Sequence, residues 1–311
     1  MGSRLVSVII PTYNRAGSLK EAVKSVLGQT YTDFELLILD DSSTDNTADI
    51  VAGFKDSRIK YMKHQCNIGL VSNWTYGISS AQGVYFCILG DDDVYRPEFL
   101  SRRVKTFYEW PDISASTGMF ECQSLNGEFL RLSKAPVKEK KVLQGRDLIE
   151  FTLGINGEWF NGATLYRTDV VRLMWDKISM AGTALDFSMH IRLSLLHSAR
   201  VAYVTEPDMI LRMHDGQESR RNSFYLAECA AKLSIDLWVF ELSKISGRNS
   251  ALYRKELAKL INHYARMLWD TDRIKDSRTM LFHEIRMYPY NFITWIKLFR
   301  TFIEKTDRGL K

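Results

Sequence analysis

The feature that most constrains the fold is the alternation of short apolar runs with helical patterns in the first third of the chain. Apolar, often β-branched runs occupy 5–11, 34–39, 59–62 and 84–89. Between them, apolar residues recur every three or four positions over 18–27, 48–54 and 72–81. Strands that alternate with helices are typical of a mostly parallel sheet with helices on both faces. The sequence therefore predicts an α/β fold.

Charge divides the chain into two parts. Residues 1–219 carry 24 Lys and Arg against 27 Asp and Glu, whereas 220–311 carry 18 against 10. The second part also has an almost wholly helical pattern. We therefore predict an α/β domain over 1–219 and a basic, helical C-terminal region over 220–311 that contacts an acceptor, a membrane surface or another subunit.

Several classes of protein are disfavoured. No run approaches the roughly 18 apolar residues of a membrane span, and the chain begins with a strand pattern instead of a signal peptide, so a cytoplasmic location is expected. The four cysteines are far apart without CxxC spacing, which predicts reduced, structural thiols. No GxGxxG motif follows the first strand, which argues against a dinucleotide-dependent oxidoreductase.

Carboxylates follow two of the predicted strands. Asp40 and Asp41 end the second apolar run, and Asp91, Asp92 and Asp93 follow the fourth. In open α/β sheets ligands bind beyond the carboxyl ends of the strands. Three adjacent carboxylates repel one another unless a cation compensates, and Mg²⁺ or Mn²⁺ prefers oxygen ligands. A solvated acidic turn that caps the next helix is the alternative interpretation.

Four motifs in fixed order carry a family resemblance. They are SVIIPTYNR (7–15), LDDSSTDNT (39–47), NIGL (67–70) and LGDDDVYRP (89–97). Together they resemble the family 2 glycosyltransferases with the Rossmann-like GT-A fold, over roughly residues 5–215. The resemblance implies an enzyme that moves a sugar from a nucleotide diphosphate sugar onto an acceptor hydroxyl.

The same resemblance implies a donor site and a metal site. The residues implied to contact the nucleotide sugar are Pro11, Thr12, Tyr13, Arg15, Asp41, Asn67, Asp91 and Asp92. Asp93 matches the direct metal ligand of a DxD motif, and Mn²⁺ or Mg²⁺ is the implied cofactor. His214, in LRMHDGQES, matches a histidine that completes the metal site in some relatives. A purely structural histidine is the alternative.

The catalytic base implied by the resemblance is Asp186, in TALDFSMHIRL. A carboxylate there takes the proton of the attacking hydroxyl in a single displacement that inverts the sugar configuration. Leu185 stands where the family usually has Glu, and helix capping is the alternative role for Asp186. Trp159, Phe160 and Asn161 fall where the family faces the acceptor, although core packing explains them equally well.

The last helical pattern, over 291–304, has an apolar face. Its members are Phe292, Trp295, Ile296, Phe299, Phe302 and Ile303, while Lys297, Arg300 and Lys305 interrupt the remainder. Such a helix over 291–305 can lie in a membrane interface. We favour packing against the first domain, and a dimer contact is a third alternative.

We therefore predict an inverting, metal-dependent glycosyltransferase of surface polysaccharide or glycan synthesis. It would act at the inner face of the plasma membrane on a saccharide or lipid-linked acceptor, and no nucleic-acid partner is expected. A sugar-phosphate nucleotidyltransferase is a weaker alternative, since its Gly-rich phosphate loop is absent. A catalytically inactive sugar-nucleotide-binding or scaffolding module is the alternative from another class, and homo-oligomer formation stays open.

Overall fold

The structure is a computed structural model that describes residues 4–179, 182, 184–196, 199–214, 217, 223–237 and 248–307. The chain forms two compact units. One comprises 1–180 and 189–215, and the other comprises 181–188 and 216–311. The predicted boundary between 219 and 220 lies outside the described residues, so the proposed division at that point stays a prediction.

The elements of the first third follow the sequence prediction to within two residues at each end. The strands in the described ranges are β1 (Val6–Thr12), β2 (Phe34–Asp40), β3 (Ile59–Lys63), β4 (Tyr85–Ile88), β5 (Val94–Tyr95), β6 (Ala115–Gly118), β7 (Glu121–Ser124), β8 (Phe129–Leu132), β9 (Lys141–Gln144), β10 (Leu165–Arg167), β11 (Arg200–Val204) and β12 (Met209–Met213). The helices there are α1 (Ala16–Leu27), α2 (Thr47–Ala52), α3 (Leu70–Ser80), α4 (Phe99–Glu109), α5 (Gly145–Thr152), α6 (Thr168–Arg172), α7 (Trp175–Ser179), α8 (Leu185–Leu195), α9 (Ser223–Asp236), α10 (Arg248–Asp270), α11 (Ile274–Met287) and α12 (Phe292–Asp307), with a 3₁₀ turn at Asn161–Ala163.

A large mixed sheet is the centre of the first unit, and the α/β prediction is confirmed. Among the described strands its order is β3-β2-β1-β4-β10-β6-β11-β9. The strands from β3 to β4 are parallel, whereas β10 is antiparallel to both of its neighbours. The sheet is therefore parallel where the predicted site lies and mixed beyond it.

Helices cover both faces of the parallel part. Val8 and Ile10 share a core cluster with the buried face of α1. Ile9 points to the opposite face, because successive strand residues alternate. There, a β-carbon at Gly77 of α3 would lie 2.4 Å from a Leu39 methyl and 3.0 Å from an Ile9 methyl, so any larger residue would require these side chains or α3 to move.

The start of α1 differs from its prediction. The helical pattern in the sequence begins at position 18, but the helix begins at Ala16, and the Ser18 hydroxyl donates to the Arg15 carbonyl within the first turn. The Asp45 carboxylate, which comes from the loop after β2, accepts the Ala16 backbone N–H at 3.0 Å. The cap is therefore supplied from a distant part of the chain, which local sequence signals cannot reveal.

A second, four-stranded sheet in the described residues has the order β5-β12-β7-β8. A buried ion pair joins it to the rest of the unit. Both terminal nitrogens of Arg103 on α4 donate to the Asp208 carboxylate, at 3.0 and 2.7 Å, and neither side chain is exposed. Arg103 also donates from Nε to the Ala163 carbonyl at 3.2 Å. This pair links α4, the start of β12 and the 3₁₀ turn.

In the second unit, α10, α11 and α12 share a small core of Ala265, Leu281, Ile285 and Leu298. The apolar face of α12 is exposed, not buried: Phe292 is 79%, Ile296 56% and Phe299 69% accessible. The favoured prediction that this face packs against the first domain is therefore wrong for its described side chains, and those of Phe302 and Ile303 lie outside the described residues. No helix in the described ranges has the length and apolar character needed to cross a bilayer.

Candidate active site

The site lies where β1, β2 and β4 end. These strands are parallel, and Thr12 at the end of β1 is in register with Asp40 at the end of β2. The Asp41 N–H donates to the Thr12 carbonyl at 3.0 Å, which extends this pairing beyond the strands. Pro11 and Thr12 belong to β1 itself. The loops after these strands are therefore brought to one edge of the sheet.

Asn14 and Asp45 connect the loops after β1 and β2. Asn14 has a positive φ of 52°, and its backbone N–H donates to the Ser43 hydroxyl at 2.9 Å. Its side-chain oxygen accepts the Thr44 N–H at 2.7 Å. Asp45 caps α1, and it also accepts the Thr47 N–H at 3.1 Å. Sequence reasoning did not single out either residue, although Asn and Asp in turns are the expected signal.

Asp41 holds the NIGL loop. Its two carboxylate oxygens accept the backbone N–H groups of Ile68 and Gly69, at 2.7 and 2.9 Å. Gly69 adopts φ 82° and ψ 161°, a conformation open almost only to glycine. The structure therefore brings the segment that contains Asn67 next to Asp41, and Asn67 itself is exposed.

The carboxylates of Asp92 and Asp93 turn toward Gly90. A β-carbon at position 90 would lie 2.9 Å from one oxygen of each residue. Any larger residue would displace them, so Gly90 creates the space in which the two carboxylates converge. Asp91 and Asp93 are buried, and Asp92 is partly exposed.

Arg15 and His214 contact this acidic cluster. Arg15 Nη1 donates to Asp92 Oδ2 at 2.9 Å, and Arg15 Nε lies 3.8 Å from Asp91 Oδ1. His214 Nε2 lies 2.9 Å from the same Asp92 oxygen. Asp93 Oδ1 accepts the backbone N–H of Arg212 on β12, at 3.0 Å. The structure thus gathers Arg15, the three carboxylates and His214, and it places His214 beside Asp92.

Negative charge in this cluster is unfavourable without a cation. Burial, reinforced by the charge of Asp92, raises the pKa of Asp91 to about 7. The same two causes raise the pKa of Asp93 well above its usual value. A bound positive ion favours the charged form of carboxylates in such surroundings. The Thr12 hydroxyl, buried at this edge, lacks a hydrogen-bond partner of good geometry among the described residues.

The donor types suit a hard divalent ion. Carboxylate oxygens with one imidazole nitrogen are acceptable ligands for Mn²⁺, and oxygen ligands suit Mg²⁺. In the part of the chain that the structure describes, no three His, Cys, Asp or Glu side chains form a group that could hold an ion by themselves. Mg²⁺ is commonly bound by one or two protein carboxylates together with the phosphates of the substrate. The residues present fit that kind of shared site.

The acceptor candidates are held by packing. The Trp159 ring stacks on His190, with centroids 4.2 Å apart, and its Nε1 donates to the Thr164 hydroxyl at 3.0 Å. Asn161 is buried, and its side-chain oxygen accepts from the Tyr166 hydroxyl at 3.0 Å. The core-packing alternative therefore accounts for the observed contacts of both, and an acceptor role stays a prediction.

Asp186 lies in the first turn of α8 and belongs to the second compact unit, unlike the other candidates. Its Oδ1 accepts the N–H of Phe187 at 2.8 Å. Burial raises the pKa of its carboxyl above the usual value. A raised pKa makes the ionised carboxylate a stronger base, which is compatible with the predicted role.

Comparison with known proteins identifies the family. The model of the family described as "Glycosyl transferase family 2" matches residues 7–167, slightly more than half of the chain. This chain belongs to that family, and its fold is GT-A.

Individual relatives are similar over shorter segments. WfgD of Escherichia coli, a UDP-Glc:α-D-GlcNAc-diphosphoundecaprenol β-1,3-glucosyltransferase, is 33% identical over 137 residues, which cover 43% of this chain and 54% of WfgD. Among the curated relatives reported with it, the matched segment spans between 17% and 54% of the relative's own length.

Solved structures show the same fold over more of the chain. TarS of S. aureus (residues 1–349), crystallised with UDP-GlcNAc, has a TM-score of 0.67 at 17% identity and covers 91% of this chain and 81% of its own. The mannosyltransferase PcManGT of Pyrobaculum calidifontis, in complex with GDP-Man and Mn²⁺, has a TM-score of 0.53 at 15% identity. The match covers 98% of this chain and 86% of PcManGT. At these identities the likeness concerns the fold alone.

Proposed function

We propose that this chain is an inverting, metal-dependent glycosyltransferase that moves one sugar from a nucleotide diphosphate sugar to a hydroxyl of a glycan or lipid-linked saccharide. The observation that carries the proposal is the cluster of Asp91, Asp92 and Asp93 beside Arg15, at the carboxyl edge of a parallel sheet. Buried carboxylates with raised pKa values favour a cation, and a diphosphate supplies the remaining oxygen ligands.

The relatives support the substrate class. TarS binds UDP-GlcNAc, and PcManGT binds GDP-Man together with Mn²⁺. WfgD is named for transfer of glucose to a diphosphoundecaprenol-linked sugar. A nucleotide sugar donor and a lipid-linked acceptor of surface polysaccharide synthesis are therefore the substrates we propose for this chain.

Each part of the site has a proposed role. Pro11 to Arg15, Asp41 and Asn67 bind the base and ribose, and Asp91 and Asp92 contact the ribose and the donor sugar. Asp93 and His214 hold Mn²⁺ or Mg²⁺. When bound, the ion supplies Lewis-acid stabilisation of the leaving diphosphate. Arg15 adds positive charge next to Asp91 and Asp92.

The proposed reaction is a single displacement with Asp186 as general base. The acceptor oxygen forms a bond to the anomeric carbon while the bond from that carbon to the diphosphate oxygen breaks. The hydroxyl proton passes to the Asp186 carboxylate, and the nucleotide diphosphate leaves with the bonding electrons. Attack from the face opposite the leaving group inverts the anomeric configuration.

Thermal stabilisation by donors tests the donor and metal roles. UDP, GDP, CDP and dTDP sugars are screened with and without Mn²⁺; a ligand at about 100 times its dissociation constant adds about 2.7 kcal/mol. We expect one base to stabilise the protein in a Mn²⁺-dependent way, and Asp93→Ala to abolish that gain. Asp147→Ala, at an exposed carboxylate of α5, is the matched control and should keep it. An unchanged gain in Asp93→Ala would remove Asp93 from the metal site.

Transfer assays test the base. We expect Asp186→Asn to retain donor-dependent stabilisation and to lose transfer and donor hydrolysis by roughly 10²-fold or more, as for removal of a general base. Retained turnover would exclude Asp186 as the base. A wild-type chain that binds donor but neither hydrolyses nor transfers it would instead favour the inactive binding module.

A further inference from the structure

The C-terminal helix α12 exposes its apolar face, whereas the usual amphipathic helix of a globular protein buries it. Among its described side chains the buried ones are Thr294, Leu298 and Thr301, which recur at the spacing of one helix face. Its exposed positions are largely apolar: Phe292 is 79%, Ile293 64%, Trp295 44%, Ile296 56% and Phe299 69% accessible. A surface helix normally turns its apolar stripe toward the core. Here two threonines are buried and the aromatic residues face outward.

A polar network fixes this orientation. Glu284 of α11 is buried, and its Oε1 accepts from the Thr294 hydroxyl at 2.6 Å and from Asn291 Nδ2 at 3.0 Å. Its Oε2 accepts from Asn262 Nδ2 of α10 at 2.6 Å. Lys297 Nζ donates to the Asn262 side-chain oxygen at 2.6 Å. Rotating α12 to bury its aromatic face would break these bonds, so the exposed face is part of the folded state.

Exposed apolar residues recur every three or four positions at the start of α12, which makes them neighbours on the helix surface. We define the aromatic face as Tyr290, Phe292, Ile293, Trp295, Ile296 and Phe299; Tyr290 is 81% accessible. The Trp295 indole N–H donates to the Pro289 carbonyl at 3.1 Å, so this ring has its hydrogen bond satisfied locally. Contiguous exposed apolar surfaces of this kind mark interaction sites.

Basic residues predominate in the sequence around the aromatic face. From 285 to 303 the charged residues are Arg286, Lys297 and Arg300, and this window is flanked by the buried Glu284 and by Glu304. The segment 220–311 has a net charge of +8. Aromatic residues combined with Lys and Arg are typical of helices that lie in the interface of an anionic membrane.

We propose that the aromatic face of α12 docks the protein on an anionic lipid bilayer, with its aromatic side chains inserted at the headgroup level. A second copy of the chain fits less well, because a stable dimer interface needs about 800 Å² and 20–30 residues from each partner. The aromatic face provides six described residues. The excess of basic over acidic residues in 220–311 would also disfavour association with the same face of another copy.

Vesicle sedimentation of the full chain tests this proposal. Vesicles contain either phosphatidylcholine alone or equal parts of phosphatidylcholine and phosphatidylglycerol. We expect the protein to pellet with the anionic vesicles, to pellet much less with the neutral ones, and to be released by high salt because screening weakens the charge attraction. Absence of pelleting with anionic vesicles would overturn the proposal.

Variants distinguish binding through the aromatic face from nonspecific adsorption of other exposed apolar residues. Phe292→Glu combined with Phe299→Glu should lower partitioning by roughly tenfold or more, because both apolar insertion and charge attraction are lost. Phe129→Glu combined with Leu173→Glu changes two exposed apolar residues of the first unit, 56% and 90% accessible, with the same change in charge. This control should keep wild-type binding, and an equal loss in both variants would refute the proposal.

Two further measurements complete the test. The double variant Phe292→Glu/Phe299→Glu could lose its helical circular dichroism, and its loss of binding would then reflect unfolding. In that case Tyr290→Glu, a single change at a largely exposed position, decides the test. If Tyr290→Glu then binds vesicles like the wild type, the aromatic face is not the docking surface. Sedimentation velocity in which the wild type is a dimer and the double variant a monomer would assign the face to a second copy instead. Mn²⁺-dependent donor stabilisation should be unchanged in these variants, so loss of vesicle binding alone leaves the proposed function intact.

Discussion

At the scale of single residues, Glu35 shows how a buried carboxylate supports the sheet that carries the site. It lies on β2 and accepts from the Ser7 hydroxyl at 2.5 Å, from Lys60 Nζ at 2.7 Å and from the Gln82 N–H at 2.7 Å. Burial alone would raise the pKa of Glu35, but these hydrogen bonds together hold its pKa below the usual value. Glu35 therefore stabilises the folded state only when it is ionised.

Glu35→Gln should destabilise the protein at neutral pH by about 1.5–3 kcal/mol, because the new amide N–H₂ group faces groups that donate hydrogen bonds. Because the folded-state pKa is depressed, the contribution of the wild-type carboxylate is present above its unfolded pKa and is lost as the pH falls through the folded value. The difference between wild type and variant should therefore shrink at acidic pH.

Urea unfolding of both proteins at neutral and acidic pH measures this difference. Glu128→Gln, at an exposed position between β7 and β8, serves as the control and should change stability by less than about 0.5 kcal/mol. A difference between wild type and Glu35→Gln that is independent of pH would contradict the assigned ionisation.

At the scale of elements, the loop before α3 depends on one glycine. Gly69 adopts φ 82° and ψ 161°, and its N–H donates to Asp41. A β-carbon there meets no neighbouring atom within 4 Å, so the backbone conformation alone disfavours other residues. This makes the position a clean test of how far the loop geometry depends on conformational strain.

Gly69→Ala should lower stability by about 1–3 kcal/mol, the usual strain of such a conformation. The matched substitution is Gly17→Ala in α1, where a β-carbon also meets nothing within 4 Å and φ is not positive. It should raise stability by about 0.5–1 kcal/mol, because Gly loses more conformational freedom in a helix than Ala. Thermal unfolding compares the two, and changes of the same sign would refute the strain argument.

At the scale of the whole molecule, the chain has two compact units with separate internal polar networks. The first contains the fully buried Arg103–Asp208 pair, and the second contains Glu284 with its bonds to Thr294, Asn291 and Asn262. Removing one partner of a buried ion pair costs about 3–5 kcal/mol, and loss of a buried hydrogen-bonded group costs about 1–3 kcal/mol.

If the two units unfold separately, calorimetry should resolve two transitions. We expect Asp208→Ala to lower the midpoint of one transition and Glu284→Ala to lower the midpoint of the other. The double variant should then show both shifts, since substitutions without shared partners are usually additive. A single transition that both variants lower together would show that the chain unfolds as one cooperative unit, and it would contradict the proposed division into domains.

The sequence by itself determined the α/β class, the parallel character of the first part of the sheet and the family. Period-two and helical patterns are local properties, and the four motifs stand in unbroken segments of the chain, so both can be recognised without coordinates. The acidic triplet could be selected as a site for the same reason. Three adjacent carboxylates after an apolar strand repel one another and need positive charge nearby, whatever the tertiary structure.

Tertiary structure decided which groups meet and which faces are exposed. The pairing of His214 with Asp92, the cap that Asp45 provides for α1, and the packing of Trp159 on His190 join residues that are distant in sequence. The outward orientation of Phe292 and Phe299 likewise follows from Glu284 and Asn262, which lie on other helices. An amphipathic pattern shows that two faces differ, but only the neighbouring elements determine which of them is buried.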